Sequence, residues 1–363
     1  MYELIVPFLT ALLITLITTP IAIIFAKKYK LVNDPKSKPH PAHIQQRVIP
    51  RAGGLSVFIG LMTAVFLFIP FDKHIIGIIL GTLLLLSVGL LDDVLEDFSP
   101  LKRWLLQFIA AGIVVASGVG ISFITSPFGG VIRLDGIVFP INLFGTHNII
   151  LIADIFALFW IVWMMNMVNW AKGVDGQMPG IITVAAITIG AVSLGFYNAG
   201  DPNQLPIAML SFITAGASLG LLVFNWYPSK ILPGFSASTI LGFMIAVLSI
   251  LSGAKLATAV LVLLIPSIDF FYTFFRRLLS GKSPFRGDRK HLHHYLLDKM
   301  GWTHRQISLF YIASCAILGL LATTLSSQGK LFTAIAVGVI VIGGLLWLHF
   351  FSTSLKQPGQ DNG

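Results

Sequence analysis

Cysteine occurs once in these 363 residues, at Cys315 inside an apolar run, which excludes both a disulfide framework and a thiolate metal site. Charge is also scarce. Asp, Glu, Lys and Arg make up 11% of the chain, against roughly 25% in a soluble domain, so the polar shell of a water-soluble fold is missing. Acids are rarer than bases, 15 against 24, leaving a net charge of +9. That balance invites a nucleic-acid partner, but no basic helix or RNA-binding motif accompanies it, and nucleic acid is set aside. No internal repeat is evident, which counts against a transporter built from symmetric halves. The first apolar run has neither a basic leader nor a small-residue cleavage site, and it reads as a retained helix.

Apolar length is what the chain has. Hydrophobic residues are 56% of it, and its mean hydropathy is +0.87. Runs near twenty residues occupy 4–26, 53–70, 75–91, 104–124, 149–168, 180–198, 206–224, 235–252, 256–275, 307–325 and 332–351. They predict an all-α polytopic membrane protein, a bundle of about eleven transmembrane helices, or ten if one run is re-entrant. One integral-membrane domain spans 1–352, and 353–363 form a polar, disordered tail. Loops after odd-numbered runs, with the tail, hold 20 of the 24 Lys and Arg, and the other side holds Lys73, Arg133, Lys255 and Lys330. The positive-inside rule then puts the amino terminus outside and the carboxyl terminus in the cytoplasm. The segment 118–146, with its GG and DG pairs and alternating VIRLDGIVFPI, predicts a short extracytoplasmic hairpin.

On that topology the unusual polar residues fall on one side, in five groups. Asn33 to Gly54 follows the first run. Asp92–Asp93, with Glu96, Asp97, Lys102 and Arg103, follows the third. Asn166, Asn169, Lys172 and Asp175 close the fifth, and Asn225, Pro228 and Lys230 follow the seventh. The fifth group, 276–305, holds eight Lys and Arg and four of the nine His. Five loops on one face predict one shared polar site. Two adjacent acids at a bilayer edge suit a metal-phosphate substrate, though one could simply be solvated there. Asn166 and Asn169 share a helical face, as ligands or as interhelical glue. HLHH places His291 and His294 on one face of a helix, yet no third ligand completes a zinc site. Phosphate binding with Arg286, Arg289 or Lys290 fits better. Asp269 is an intramembrane acid whose structural alternative is a pair with Arg276 or Arg277. Asp154 reads as interfacial.

These motifs resemble the polyprenyl-phosphate N-acetylhexosamine-1-phosphate transferases, the WecA-, TagO- and MraY-like enzymes. The matching pieces, in the family's order, are DP…IPRAGGL (34–55), GLLDDVLEDFSPLKRWLLQ (89–107), NMVNWAKGVDG (166–176), FNWYPSKI (224–231) and DRKHLHHYLL (288–297). HLHH looks closer to the WecA-like branch. The resemblance implies transfer of an N-acetylhexosamine 1-phosphate, GlcNAc-1-P foremost, from a UDP-sugar to polyprenyl phosphate in an inner membrane, with release of UMP. It implies catalytic Asp92 and Asp93. It also implies substrate contacts from Asn169, Asp175, Asn225, Arg289, His291, His293 and His294, and Asn166, Lys172 and Asp288 join them as candidate substrate-binding residues. A magnesium ion would be held by Asn169, Asp92 and Asp93. Partners would be UDP-N-acetylhexosamine, polyprenyl phosphate and the lipid bilayer, and a homodimer is compatible with it.

The sequence departs from the family at two points. Where the family shows a GDxGS-like segment with a magnesium-binding acid, this chain has GFSAS, with Phe235 at the acid's position. A phenyl ring cannot coordinate a hard cation. Lys172 stands where many bacterial members carry an acid. His40 and His43 sit farther from the PR pair than is usual. Three readings follow: an active enzyme on the remaining ligands, an enzyme in which Lys172 replaces some of the metal's charge, or a non-catalytic relative that binds nucleotide sugar or polyprenyl phosphate.

Overall fold

The computed structural model describes residues 2–34, 45, 47–95, 98–142, 146–253, 255–283 and 289–350. His40, His43, Glu96, Asp97, Arg286, Asp288 and the tail lie outside them. Thirteen described helices follow in order: α1 (Tyr2–Lys28), α2 (Gly53–Phe68), α3 (Lys73–Val94), α4 (Pro100–Ala116), α5 (Leu151–Trp170), α6 (Gln177–Asn198), α7 (Gln204–Asn225), α8 (Gly234–Leu251), α9 (Leu256–Val262), α10 (Leu264–Leu279), α11 (Leu292–Asp298), α12 (His304–Thr324) and α13 (Ser327–Phe350).

Among the described residues, eight of these helices are long and apolar enough to cross a membrane, and a ninth span exists if α9 and α10 count as one. The expected eleven therefore differ in three places. Helices α2 and α4 have only 16 and 17 residues, and the run at 104–124 leaves helix after Ala116 for a strand at Phe123–Thr125. The run at 256–275 breaks between α9 and α10 with a bend of 84°. Pro266 favours the break, because it has no N–H to offer the Val262 carbonyl and sits readily in the first turn of a new helix.

Helix α1 shows the solvent the chain is built for. Its buried stripe is the small one, Ala11, Thr15, Thr19, Ala22 and Ala26, while Leu9, Leu13, Ile17 and Ile21 face outward. Small residues let backbones close in where lipid already solvates the large ones. A Cβ at Gly216 or Gly220 of α7 would run into the α1 backbone or Thr15.

At the centre stands α8. GFSASTILGFMIAVLSIL carries no charge on any side, and a helix apolar all round belongs inside. Every residue from Gly234 to Ile250 is buried, among α2, α3, α5, α6, α7 and α9. Gly242 admits the α5 backbone, since a Cβ there would stand 2.8 Å from Met165 Cα.

The segment after Ala116 makes two antiparallel hairpins where one was expected. β3 (Phe123–Thr125) pairs with β4 (Val131–Arg133), and β5 (Val138–Asn142) pairs with β6 (Thr146–Ile150). Gly129 and Gly130, at φ +106° and +74°, turn the first. Asp154 caps the helix that follows by accepting from Ile150 N at 3.0 Å. At the other end of the bundle, the two-residue pair Val32–Asn33 with Ile49–Pro50 leads into Arg51, and Leu232 N donates to Pro50 O at 2.8 Å.

Candidate active site

Helix α3 ends GLLDDV, so its last turn delivers two acids where three helices meet. Both are buried. Asp93 pairs with Arg51 at 3.0 Å and accepts weakly from Phe235 N and Ser236 Oγ, each at 3.4 Å. The first turn of α8 thus points its free N–H groups and positive dipole end at the carboxylate. Gly234, at φ +70°, makes the approach feasible, because a Cβ there would strike Asp93 Oδ2. Gly89 and Gly54 open the same space, since a Cβ on either would strike Ser236. Asp92 pairs through Oδ1 with Arg103 Nε, carried on the first turn of α4.

The loop between α5 and α6 supplies the next face. Lys172 Nζ donates to Gly234 O at 3.1 Å. It also stands 5.9 Å from the centroid of the Phe235 ring, and the Arg103 guanidinium stands 5.5 Å from the same centroid. The ring of Phe235 is therefore a platform for two cations. Desolvation, with Arg51 adding to it, pushes the Lys172 ammonium down to about 8, while Asp93 and Asp92 pull the other way. One residue on, Gly173 lies flat against the His293 ring, and a Cβ would collide with it.

Asn225 holds this loop from below, accepting from Gly176 N at 2.9 Å and donating to Ile231 O at 2.8 Å. Asp175 accepts from Gln45 Nε2 and Ser229 N, both at 3.1 Å, and its carbonyl accepts from Ser308 Oγ. Both side chains tie backbone segments together.

The histidines form a second cluster beyond Gly173. His291 Nδ1 lies 3.0 Å from Asp269 Oδ2, and Leu292 N donates to Asp269 Oδ1 at 2.7 Å. Asp269 thus anchors α11 to α10. His291 and His293 stack with centroids 5.4 Å apart, and His293 and His294 are 4.3 Å apart. Burial pushes His294 down to about 4 and His293 well below its usual value, with neighbouring imidazoles adding to both. These two rings are neutral near pH 7, so they offer hydrogen bonds rather than charge. The Nδ1 atoms of His293 and His294 are buried without a hydrogen-bond partner among the described residues. Arg289 forms a two-pronged pair with Asp298, both bonds 2.8 Å.

Five segments distant in sequence thus touch in series: Arg51 to Asp93, Asp93 to Phe235, Lys172 to Gly234, and Gly173 to His293. Asn169 joins them through Ser238 Oγ, 2.9 Å from its Oδ1. Asn166 instead donates to Gln107 of α4 at 2.8 Å, an amide bond between helices. Arg51, Arg103 and Ser236 belong to this centre, although the sequence alone gives them no binding role. Arg51 had a signal, since IPRAGG precedes a helix start.

Does this donor set suit magnesium? A magnesium ion asks for oxygens in near-octahedral order, usually one or two carboxylates with waters. Here each carboxylate already answers a guanidinium, Asn169 Oδ1 already accepts from Ser238, and a phenyl ring fills the space beside them. Among the described residues no group of three or more His, Cys, Asp or Glu could hold a metal. Among the described residues, the donor set does not fit the ion.

Comparison with known proteins adds the relatives. The profile of glycosyl transferase family 4 matches residues 75–253. A Mycolicibacterium smegmatis protein named decaprenyl-phosphate N-acetylglucosaminephosphotransferase is 30% identical over 366 residues, covering 92% of this chain and 85% of its own. A Bacillus subtilis protein, described as a probable undecaprenyl-phosphate N-acetylglucosaminyl 1-phosphate transferase, is 27% identical over 350 residues, 94% of this chain and 90% of its own. A phospho-N-acetylmuramoyl-pentapeptide-transferase of Geobacillus kaustophilus is 26% identical over 317 residues, 83% and 91% of the two chains.

Proposed function

The chain belongs to glycosyl transferase family 4 and is a multi-pass membrane phosphoglycosyl transferase; from that premise we propose that it transfers N-acetylglucosamine 1-phosphate from UDP-N-acetylglucosamine to undecaprenyl phosphate, at the cytoplasmic face of the inner membrane. The observation that carries this reading is the meeting of Asp92 and Asp93 with Arg51, Arg103 and Lys172 at one end of the bundle. The names of the Bacillus and Mycolicibacterium relatives supply the sugar and the class of lipid. The excess of Lys and Arg on that side, 20 against four, supports a cytoplasmic placement.

In this reaction an oxygen of the lipid phosphate bonds to the sugar-bearing phosphorus. The bond from that phosphorus to the bridging oxygen breaks, and UMP leaves with the electron pair. Two anionic phosphates must approach each other, and the barrier is largely electrostatic. The excess of positive charge that Arg51, Arg103 and Lys172 hold over the two carboxylates offsets that repulsion from fixed positions. Asp92, with Oδ1 held by Arg103, orients the acceptor and takes any proton it carries on Oδ2. The unpartnered nitrogens of His293 and His294 hydrogen-bond phosphate oxygens without adding charge. Asp175 and Asn225 tie the loop at 171–176 to the segment 229–231 that leads into α8.

Phe235 favours one other reading, a relative that binds nucleotide sugar without turnover. A panel of UDP-sugars, incubated with the purified protein and polyprenyl phosphate in lipid, separates the two. UMP release with UDP-N-acetylglucosamine, lost in Asp92→Asn, is the expected result. Silence across the panel, with donor binding retained, would establish the binding protein instead.

A further inference from the structure

Lys172 and Phe235 are each unusual alone, and in space they answer one another. Among the described residues, three cations (Arg51, Arg103 and Lys172) face two carboxylates, so the cluster is positive before any substrate arrives. Arg51 and Arg103 spend their charge on Asp93 and Asp92. Lys172 donates its hydrogen bond to a neutral carbonyl, Gly234 O, and stands over the face of Phe235, while Asp93 and Asp92, already paired with the guanidiniums, act on it through space. An aromatic face holds an ammonium without cancelling its charge, whereas an acid at 235 would have neutralised it. A divalent cation entering here would compete with two guanidiniums for oxygens and would stand near an ammonium. A diphosphate meets the opposite field.

Resting on the reading of the site as one for a UDP-sugar, we propose that Lys172, seated over Phe235, is the diphosphate-binding cation of this enzyme and takes the place of a divalent metal, so that donor binding and transfer proceed without one. The bonds made and broken are those of the transfer already given. The negative charge that grows on the bridging oxygen as it leaves with UMP is met by the Lys172 ammonium, which keeps its proton throughout.

The test is calorimetric binding of UDP-N-acetylglucosamine to the full-length protein in lipid nanodiscs, in EDTA and in excess magnesium. Equal affinity in the two is expected. Lys172→Met should weaken binding about tenfold or more, and Lys172→Arg should keep most of it. Phe235→Asp should weaken binding in EDTA and make it magnesium-dependent. Binding that needs magnesium in the wild-type protein overturns the proposal, and so does a Lys172→Met protein that binds as well as wild type. The wild-type arms decide even where a variant fails to fold. UMP release in the same nanodiscs keeps the two readings apart. Metal-independent binding without turnover removes the transferase reading and the transfer half of this proposal, leaving Lys172 as the cation that binds the diphosphate, while turnover that appears only with magnesium overturns the proposal and leaves the transferase reading. No binding and no UMP release in either condition removes both.

Discussion

Asp93 has no exposed side-chain surface, and its Arg51 partner is only about a quarter exposed. Removing the arginine leaves a buried charge with two weak hydrogen bonds, and Arg51→Ala should cost about 2 kcal/mol of stability, less than a fully buried pair because water reaches the arginine. Thermal unfolding in detergent would show it, and Arg51→Lys should recover only part, since a point charge replaces a fork. Lys172 gives a pH signature. Its ammonium is pushed down to about 8, so donor affinity should fall as pH rises through that value, and Lys172→Arg should remove the inflection. Stability runs the other way. Between about 8 and the ordinary 10.5, the unfolded chain binds more protons than the folded one, so folding should strengthen as pH climbs through that window. Opposite slopes for binding and stability would identify this lysine. Of the residue-level site, the sequence made the acids legible, because two adjacent carboxylates at the end of an apolar run have few other uses. It could not show that Arg289 is taken by Asp298, or that Asn166 bonds Gln107, because both depend on which helices become neighbours.

Helix α8 fixes the site because its first turn is the site's floor. Gly234→Ala would bring both a strained φ of +70° and a methyl group against Asp93, and should destabilise by roughly 1–2 kcal/mol. Activity should fall further than stability, which a paired UMP-release and melting measurement would separate. The α10–α11 link behaves differently. Asp269 takes both the His291 ring and the Leu292 amide, so Asp269→Asn should keep the backbone tether while altering the His291 tautomer. The expected result is UMP release that falls severalfold with little change in melting temperature. Apolar periodicity made most helices legible, but the break before α10 was not read. Proline is an ambiguous signal: Pro7 and Pro20 lie inside the unbroken α1, whereas Pro266 opens a new helix. What decides is whether neighbouring helices take up the freed carbonyl, which is tertiary information.

At the scale of the molecule, the ends of α3, α5 and α10 and the starts of α8 and α12 gather at one end of the bundle, and Lys73, Lys255 and Lys330 mark the other. The lone Cys315 is buried, which makes topology easy to test. In a Cys315→Ala background, Lys282→Cys should be labelled by an impermeant maleimide only from the cytoplasmic side, and Arg133→Cys only from outside. The bend of 84° carries a last consequence. Helix α10 turns aside from the direction of α9, with Phe271, Phe275, Leu278 and Leu279 outward and Asp269, Thr273 and Arg277 inward. On the proposed function, this outward apolar face of α10 lies against hydrocarbon beside the candidate site. On the proposed reaction the two substrates arrive from different phases, one by three-dimensional diffusion and the other sideways within the leaflet. Turnover should then follow surface dilution: at fixed bulk amounts of enzyme and acceptor, adding inert lipid should slow it in proportion to the acceptor's falling mole fraction.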